Sequence, residues 1–167
     1  MRKGSTSATR LLAAWVLGML LPFIANAADT GSGTIDYKGR VATLKYAWLV
    51  TGPSDMEPGK QVRRLILSAT DIGGKLQACK TFSCTDGEVT EGMTVDFTGG
   101  PRLNYWVALN GQKVQYSGTA RPETFSAKAN DATHLAGQLA IDDAAAGGPK
   151  VNASFDVTVT KDFKVAR

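Results

Sequence analysis

Residues 151–160, VNASFDVTVT, alternate Val151, Ala153, Phe155, Val157 and Val159 with Asn152, Ser154, Asp156, Thr158 and Thr160. Successive side chains of an extended chain point to opposite faces, so this run specifies a strand with one face in a core and the other in water. The same period of two recurs along the chain, while no segment sustains the period of a long amphipathic helix. In GTIDYKGRVATLKYAWLV, residues 33–50, a turn at Lys38-Gly39 sets Ile35 opposite Ala42. The pattern then continues through Leu44, Tyr46, Trp48 and Val50 as one long strand. VRRLILSA, residues 62–69, and MTVDFTG, residues 93–99, read as strands, the latter with Met93, Val95 and Phe97 inward. ETFSAKA, residues 123–129, and HLAGQLAI, residues 134–141, are weaker ones.

Between these runs, GPSDMEPGKQ at 52–61 and DDAAAGGPK at 142–150 carry the Gly, Pro and charge of surface loops. Residues 70–92 have no clean period and suit one or two short helical turns capped by Asp71, with Gly73 and Gly74 opposing a longer helix. About nine short strands separated by turn signals indicate an all-β domain, an antiparallel two-sheet sandwich of immunoglobulin-like type, with a small barrel as the alternative. Alternation that is half polar speaks against a parallel sheet buried on both faces.

The first 27 residues form a separate unit. Arg2, Lys3 and Arg10 precede the apolar run Leu11 to Ala25, which ends in Ala25-Asn26-Ala27. This is the pattern of a signal peptide cleaved after Ala27, leaving 28–167 as one domain. The run is shorter than the roughly 20 apolar residues of a membrane-spanning helix and contains Pro22, so no stable membrane insertion is expected after its removal. The expected compartment is the periplasm or the exterior.

Removing the signal changes the charge. The whole chain has a formal net charge of +4, but three of the 19 Lys and Arg and none of the 15 Asp and Glu lie in the signal. The remaining 140 residues are therefore close to neutral at +1, which argues against a nucleic-acid partner. The two cysteines, Cys79 and Cys84, are expected to pair in an oxidising compartment. Their four-residue spacing matches neither a redox motif nor haem attachment, so the bond is a local staple.

No cofactor motif is present, and a lone histidine, His134, makes a poor start for a metal site. A serine hydrolase would need the same His134 as its base and lacks a G-x-S-x-G elbow. The adjacent acids Asp142 and Asp143 are loop carboxylates of the kind water solvates. Arg63 and Arg64 open a strand on opposite faces, an arrangement open to an anion site, although edge protection or a surface ion pair is the commoner use of a charged strand start.

The most specific surface clue is in RLNYWVALNGQKVQYSG, residues 102–118. With Asn110-Gly111 as a two-residue hairpin turn, Tyr105 faces Tyr116 and Val107 faces Val114 on an apolar side. The other side pairs Asn104 with Ser117, Ala108 with Lys113 and Trp106 with Gln115, leaving an indole among polar neighbours. Either a loop covers this side and Trp106 packs beneath it, or Trp106 anchors a binding surface. In the second case Asn104, Lys113, Gln115 and Ser117 form its polar rim. Function is expected to be that of an exported, non-enzymatic binding or accessory module for a protein or glycan. A secreted hydrolase using carboxylates or His134, and an inhibitor of a secreted enzyme, are the alternatives.

Overall fold

The computed structural model describes residues 1, 29–54, 57–98, 100, 102–111 and 115–167. The expected signal segment falls, Met1 apart, outside the described residues, and so does Lys113. Ten strands are present: β1 (Thr30–Tyr37), β2 (Arg40–Leu44), β3 (Tyr46–Pro53), β4 (Gln61–Ser68), β5 (Gly92–Phe97), β6 (Leu103–Ala108), β7 (Tyr116–Ala120), β8 (Phe125–Asn130), β9 (His134–Asp142) and β10 (Lys150–Asp162). Among the described residues, one short helix, α1 (Gly73–Ala78), and three 3-10 turns at Phe82–Gly87, Pro122–Thr124 and Ala144–Ala146 complete the regular structure. Among the described residues, no helix is long and apolar enough to cross a membrane.

The expected immunoglobulin-like two-sheet sandwich is not formed. Eight strands make one continuous mixed sheet in the order β2-β1-β10-β3-β4-β5-β6-β7, curled into a half-barrel, and β9 with β8 beyond it branches from β10. The cause is the length of β10. Its residues Lys150–Asp156 are flanked by β1 and β9, both antiparallel. From Val159 onward the same strand runs parallel to β3, with a register shift between Val159 and Lys161. A single strand thus stitches together what short-range pattern alone would divide into two sheets. Curling brings backbones close: a Cβ at Gly33 would meet the Asn152 carbonyl oxygen at 2.1 Å, and one at Gly137 the Ser126 carbonyl oxygen at 2.2 Å. Both glycines hold positive φ, 140° and 153°, which side chains disfavour.

Several local expectations hold. The hairpin at Lys38-Gly39 has positive φ at both residues and pairs Ile35 with Ala42. Met93, Val95 and Phe97 face the concave core, as do Val151, Ala153, Phe155 and Val157 of β10. The long strand through Trp48, however, is broken at Lys45, whose N–H donates to the Ser68 carbonyl at 3.0 Å. Beyond the break Ala47 and Leu49 face the concave core, and Trp48 and Val50 belong to a second apolar cluster.

That second cluster explains residues 70–92. Trp48, Val50, Val62 and Ile66, on the convex side of β3 and β4, pack against Ile72, Leu76, Cys79, Phe82 and Val89 of the connection between β4 and β5. The connection is a strap across the sheet. Asp71 accepts the Gly73 N–H at 2.9 Å at the start of α1, and Lys161 donates to carbonyls at its end, including Gln77 O at 2.6 Å. The Cys79–Cys84 disulfide is formed, with the Cα atoms 5.6 Å apart. The chain's last residues add an edge: Phe82 N–H and Ser83 N–H donate to Val165 O and Ala166 O, each at 2.9 Å.

Candidate functional site

The strap stops short of covering the convex face of β4, β5 and β6, and its edge forms one wall of a cavity of about 560 Å³. Even-numbered residues of the three strands supply the floor. Register places Arg64 beside Asp96 and Asp96 beside Asn104 in one row, with Ile66, Thr94 and Trp106 in the next. Ser54 and Glu57 from the β3–β4 loop, and Phe82, Asp86 and Val89 from the strap, close the sides.

Arg64 is the centre of this arrangement. It is buried, and a buried guanidinium is tolerated only when its donors are met. Nε donates to Asp96 Oδ1 at 2.6 Å and Nη2 to Asp96 Oδ2 at 2.8 Å, a two-pronged contact within the sheet. Nη1 donates to Thr85 Oγ1 at 3.1 Å and to the Asp86 carboxylate, both on the 3-10 turn after Cys84. Two aromatic rings lie against the ion, Phe82 with its centroid 4.4 Å from Cζ and Trp106 at 5.7 Å. Thr85, fully buried, relays the contact by donating to the Phe82 carbonyl at 2.7 Å.

This answers the question of the indole on the polar side. Trp106 is neither covered nor solitary: it is half-buried, with Arg64 beneath it and the cavity beside it. Asn104 shares the floor. Ser117 sits across from Trp106 on β7 but is exposed and outside the cavity lining. The expected pairing of Trp106 with Gln115 is displaced by two residues, which preserves the faces while changing the partner. Asn110 and Gly111 have positive φ, as a tight turn requires, and Gly111 N–H donates to Thr90 O at 3.1 Å. Gln115 uses its side-chain amide to hold Leu109 O at 3.0 Å.

The residues weighed for catalysis are dispersed. His134 Nε2 lies 2.7 Å from Asp156 Oδ1 between neighbouring strands, and Asp131 accepts from the His134 backbone rather than the ring. Asp142 is ion-paired to Lys150 at 3.0 Å, and Asp143 accepts the Tyr105 hydroxyl. The cavity lining contains neither His nor Cys among the described residues. Cys79, Cys84 and Glu88 bring three potential ligand atoms together, but two of them are the sulfurs of the disulfide. Arg63 points to the opposite face from Arg64, donating to Asn130 Oδ1 at 2.7 Å at a more open cavity of about 800 Å³.

Arg64, Asp96, Thr85 and Asp86 were not singled out as a site by sequence reasoning. A partial signal existed: MTVDFTG sets Asp96 between Val95 and Phe97, Arg64 leads directly into the apolar run Leu65–Leu67, and β4 and β5 are consecutive strands. Two opposite charges in that context suggest a buried pair. Nothing local pointed to Thr85-Asp86. No protein-family model, curated protein or solved structure matches the chain.

Proposed function

We propose that the chain is an exported, non-enzymatic binding module whose site is the cavity beside Trp106, and that its ligand is a glycan. The observation that carries the reading is the half-buried indole beside the Arg64 guanidinium in a cavity that Asn104, Thr98 and Ser54 also line. A sugar ring has an apolar C–H face and a periphery of hydroxyls. It fits a site that pairs one aromatic surface with amide and hydroxyl groups. A flat protein interface finds less support, because the large exposed hydrophobics among the described residues, Val41, Tyr46 and Val165 with Met1, are scattered rather than gathered near the cavity.

The reading is tested by electrophoresis of the purified protein through gels containing a panel of neutral and acidic polysaccharides. At least one should retard the wild type, and Trp106→Ala should weaken that interaction by about 2 kcal/mol or more, as for an aromatic anchor. Unchanged mobility on every polysaccharide, or retardation indifferent to Trp106→Ala, would overturn it.

A further inference from the structure

Arg64 is held in two different ways. Asp96, buried and on the adjoining strand, grips the Nε–Nη2 edge from within the sheet. The Nη1 edge instead receives Thr85 and Asp86 from the strap, and the Asp86 side chain is 52% exposed. The rings of Phe82 and Trp106 also lie against the guanidinium, with centroids 4.4 and 5.7 Å from Cζ, and of the groups that hold Arg64 the Asp86 carboxylate is the exposed one. We propose that the Asp86 carboxylate is a built-in stand-in for a ligand carboxylate on Arg64, so that the cavity takes glycans carrying acidic sugars by exchange with Asp86. This rests on the reading of the cavity as a glycan site.

Charge explains why exchange is required. Asp86 and Asp96 already set two carboxylates on one guanidinium, Glu57 adds another to the cavity wall, and a further carboxylate added beside them would be repelled. Swinging Asp86 toward water frees the position for an acceptor of the same chemistry, and charge-assisted contacts to a guanidinium are among the stronger hydrogen bonds. The tethered carboxylate competes with free ligand at the high effective concentration of an intramolecular group. Affinity is lowered by the fraction of molecules in which Asp86 occupies Nη1. The wild type is thus a self-competed site, selective for ligands that combine a carboxylate with a ring surface for Trp106.

Calorimetric titration with a galacturonic acid trimer and with its uncharged methyl ester tests this in wild type, Asp86→Ala and Asp86→Asn, each first shown to be folded by circular dichroism. The acid trimer should bind Asp86→Ala at least tenfold more tightly than wild type, with Asp86→Asn also gaining, while the ester gains nothing. No gain for the acid, or an equal gain for the ester, overturns the exchange and leaves a glycan site without acid selectivity. Absence of binding by both trimers to all three proteins, together with unchanged mobility on the polysaccharide panel, overturns both the exchange and the glycan reading.

Discussion

Arg64 and Asp96 face each other across β4 and β5 with both partners buried and two hydrogen bonds between them, at 2.6 and 2.8 Å. Removing Asp96 takes away the carboxylate that meets the Nε–Nη2 edge of a buried guanidinium. Asp96→Ala should therefore cost about 3 to 5 kcal/mol of folding stability, measured by urea denaturation. A cost below about 1 kcal/mol would mean that the guanidinium relaxes to solvent and does not organise the site.

The two tryptophans of residues 29–167 should respond unequally. Trp48 is buried under the strap and stacks with Tyr46 at 5.8 Å, so Trp48→Ala should cost about 3 to 5 kcal/mol. Trp106 is half-buried, and Trp106→Ala should cost roughly half as much. Acrylamide should quench the emission left in Trp48→Phe, which comes from Trp106, more than that left in Trp106→Phe. Equal quenching would remove the distinction.

The disulfide stands directly before Thr85 and Asp86, the strap residues that reach Arg64. Closing so short a loop is worth about 2 kcal/mol in the chain-entropy model. Replacing both cysteines with serine should lower stability by about that amount, with amide exchange accelerated at 79–87 and little changed in β9 and β10. Free labelling of Cys79 and Cys84 in the unreduced native protein would show the bond absent in solution.

Lys161 should matter through the strap as well. Its ammonium donates to Leu76 O at 3.4 Å, to Gln77 O at 2.6 Å and to Cys79 O, carbonyls that the end of α1 leaves without helical partners. Lys161→Met keeps the aliphatic stem and removes these bonds, and should cost about 1.5 to 3 kcal/mol. Faster amide exchange in α1 than in β10 is the expected signature.

Tyr105 sets an alkaline limit. Burial, then the hydrogen bond to Asp143 and its charge, push the phenol above its ordinary pKa. A group that binds its proton more tightly folded than unfolded contributes fully below the unfolded value, near pH 10, and loses that contribution as pH rises toward the folded one. Stability should accordingly fall above about pH 10, and at least one of the four tyrosines should fail to ionise, by absorbance at 295 nm, until the fold is lost. Asp143→Asn should lower the pH at which that last phenol titrates.

Local pattern carried the elements and their faces. Alternation located β1, β2, β4, β5, β9 and β10, and it put Trp106 and Asn104 on the side of β6 away from the concave core, because side-chain direction in a strand depends only on parity. Cys79 and Cys84 pair as their spacing suggested, since five residues hold them within reach whatever the surroundings. Parity has no information about partners distant in the chain. Whether β10 joins one sheet or separates two depends on its pairing with β3, more than 100 residues earlier, and pattern alone favoured the sandwich. The break at Lys45, which turns Trp48 from the concave core to the underside of the strap, is marked by a tertiary bond as well, from Lys45 N–H to the Ser68 carbonyl at the end of β4. The site was half legible for the same reason: its floor follows from strand parity, but Arg64 becomes its centre only when folding brings Thr85 and Asp86 to its free edge and Phe82 to its face. Those contacts are tertiary, made by a segment with no period of its own, and burial of the charge they satisfy is decided by the packed fold.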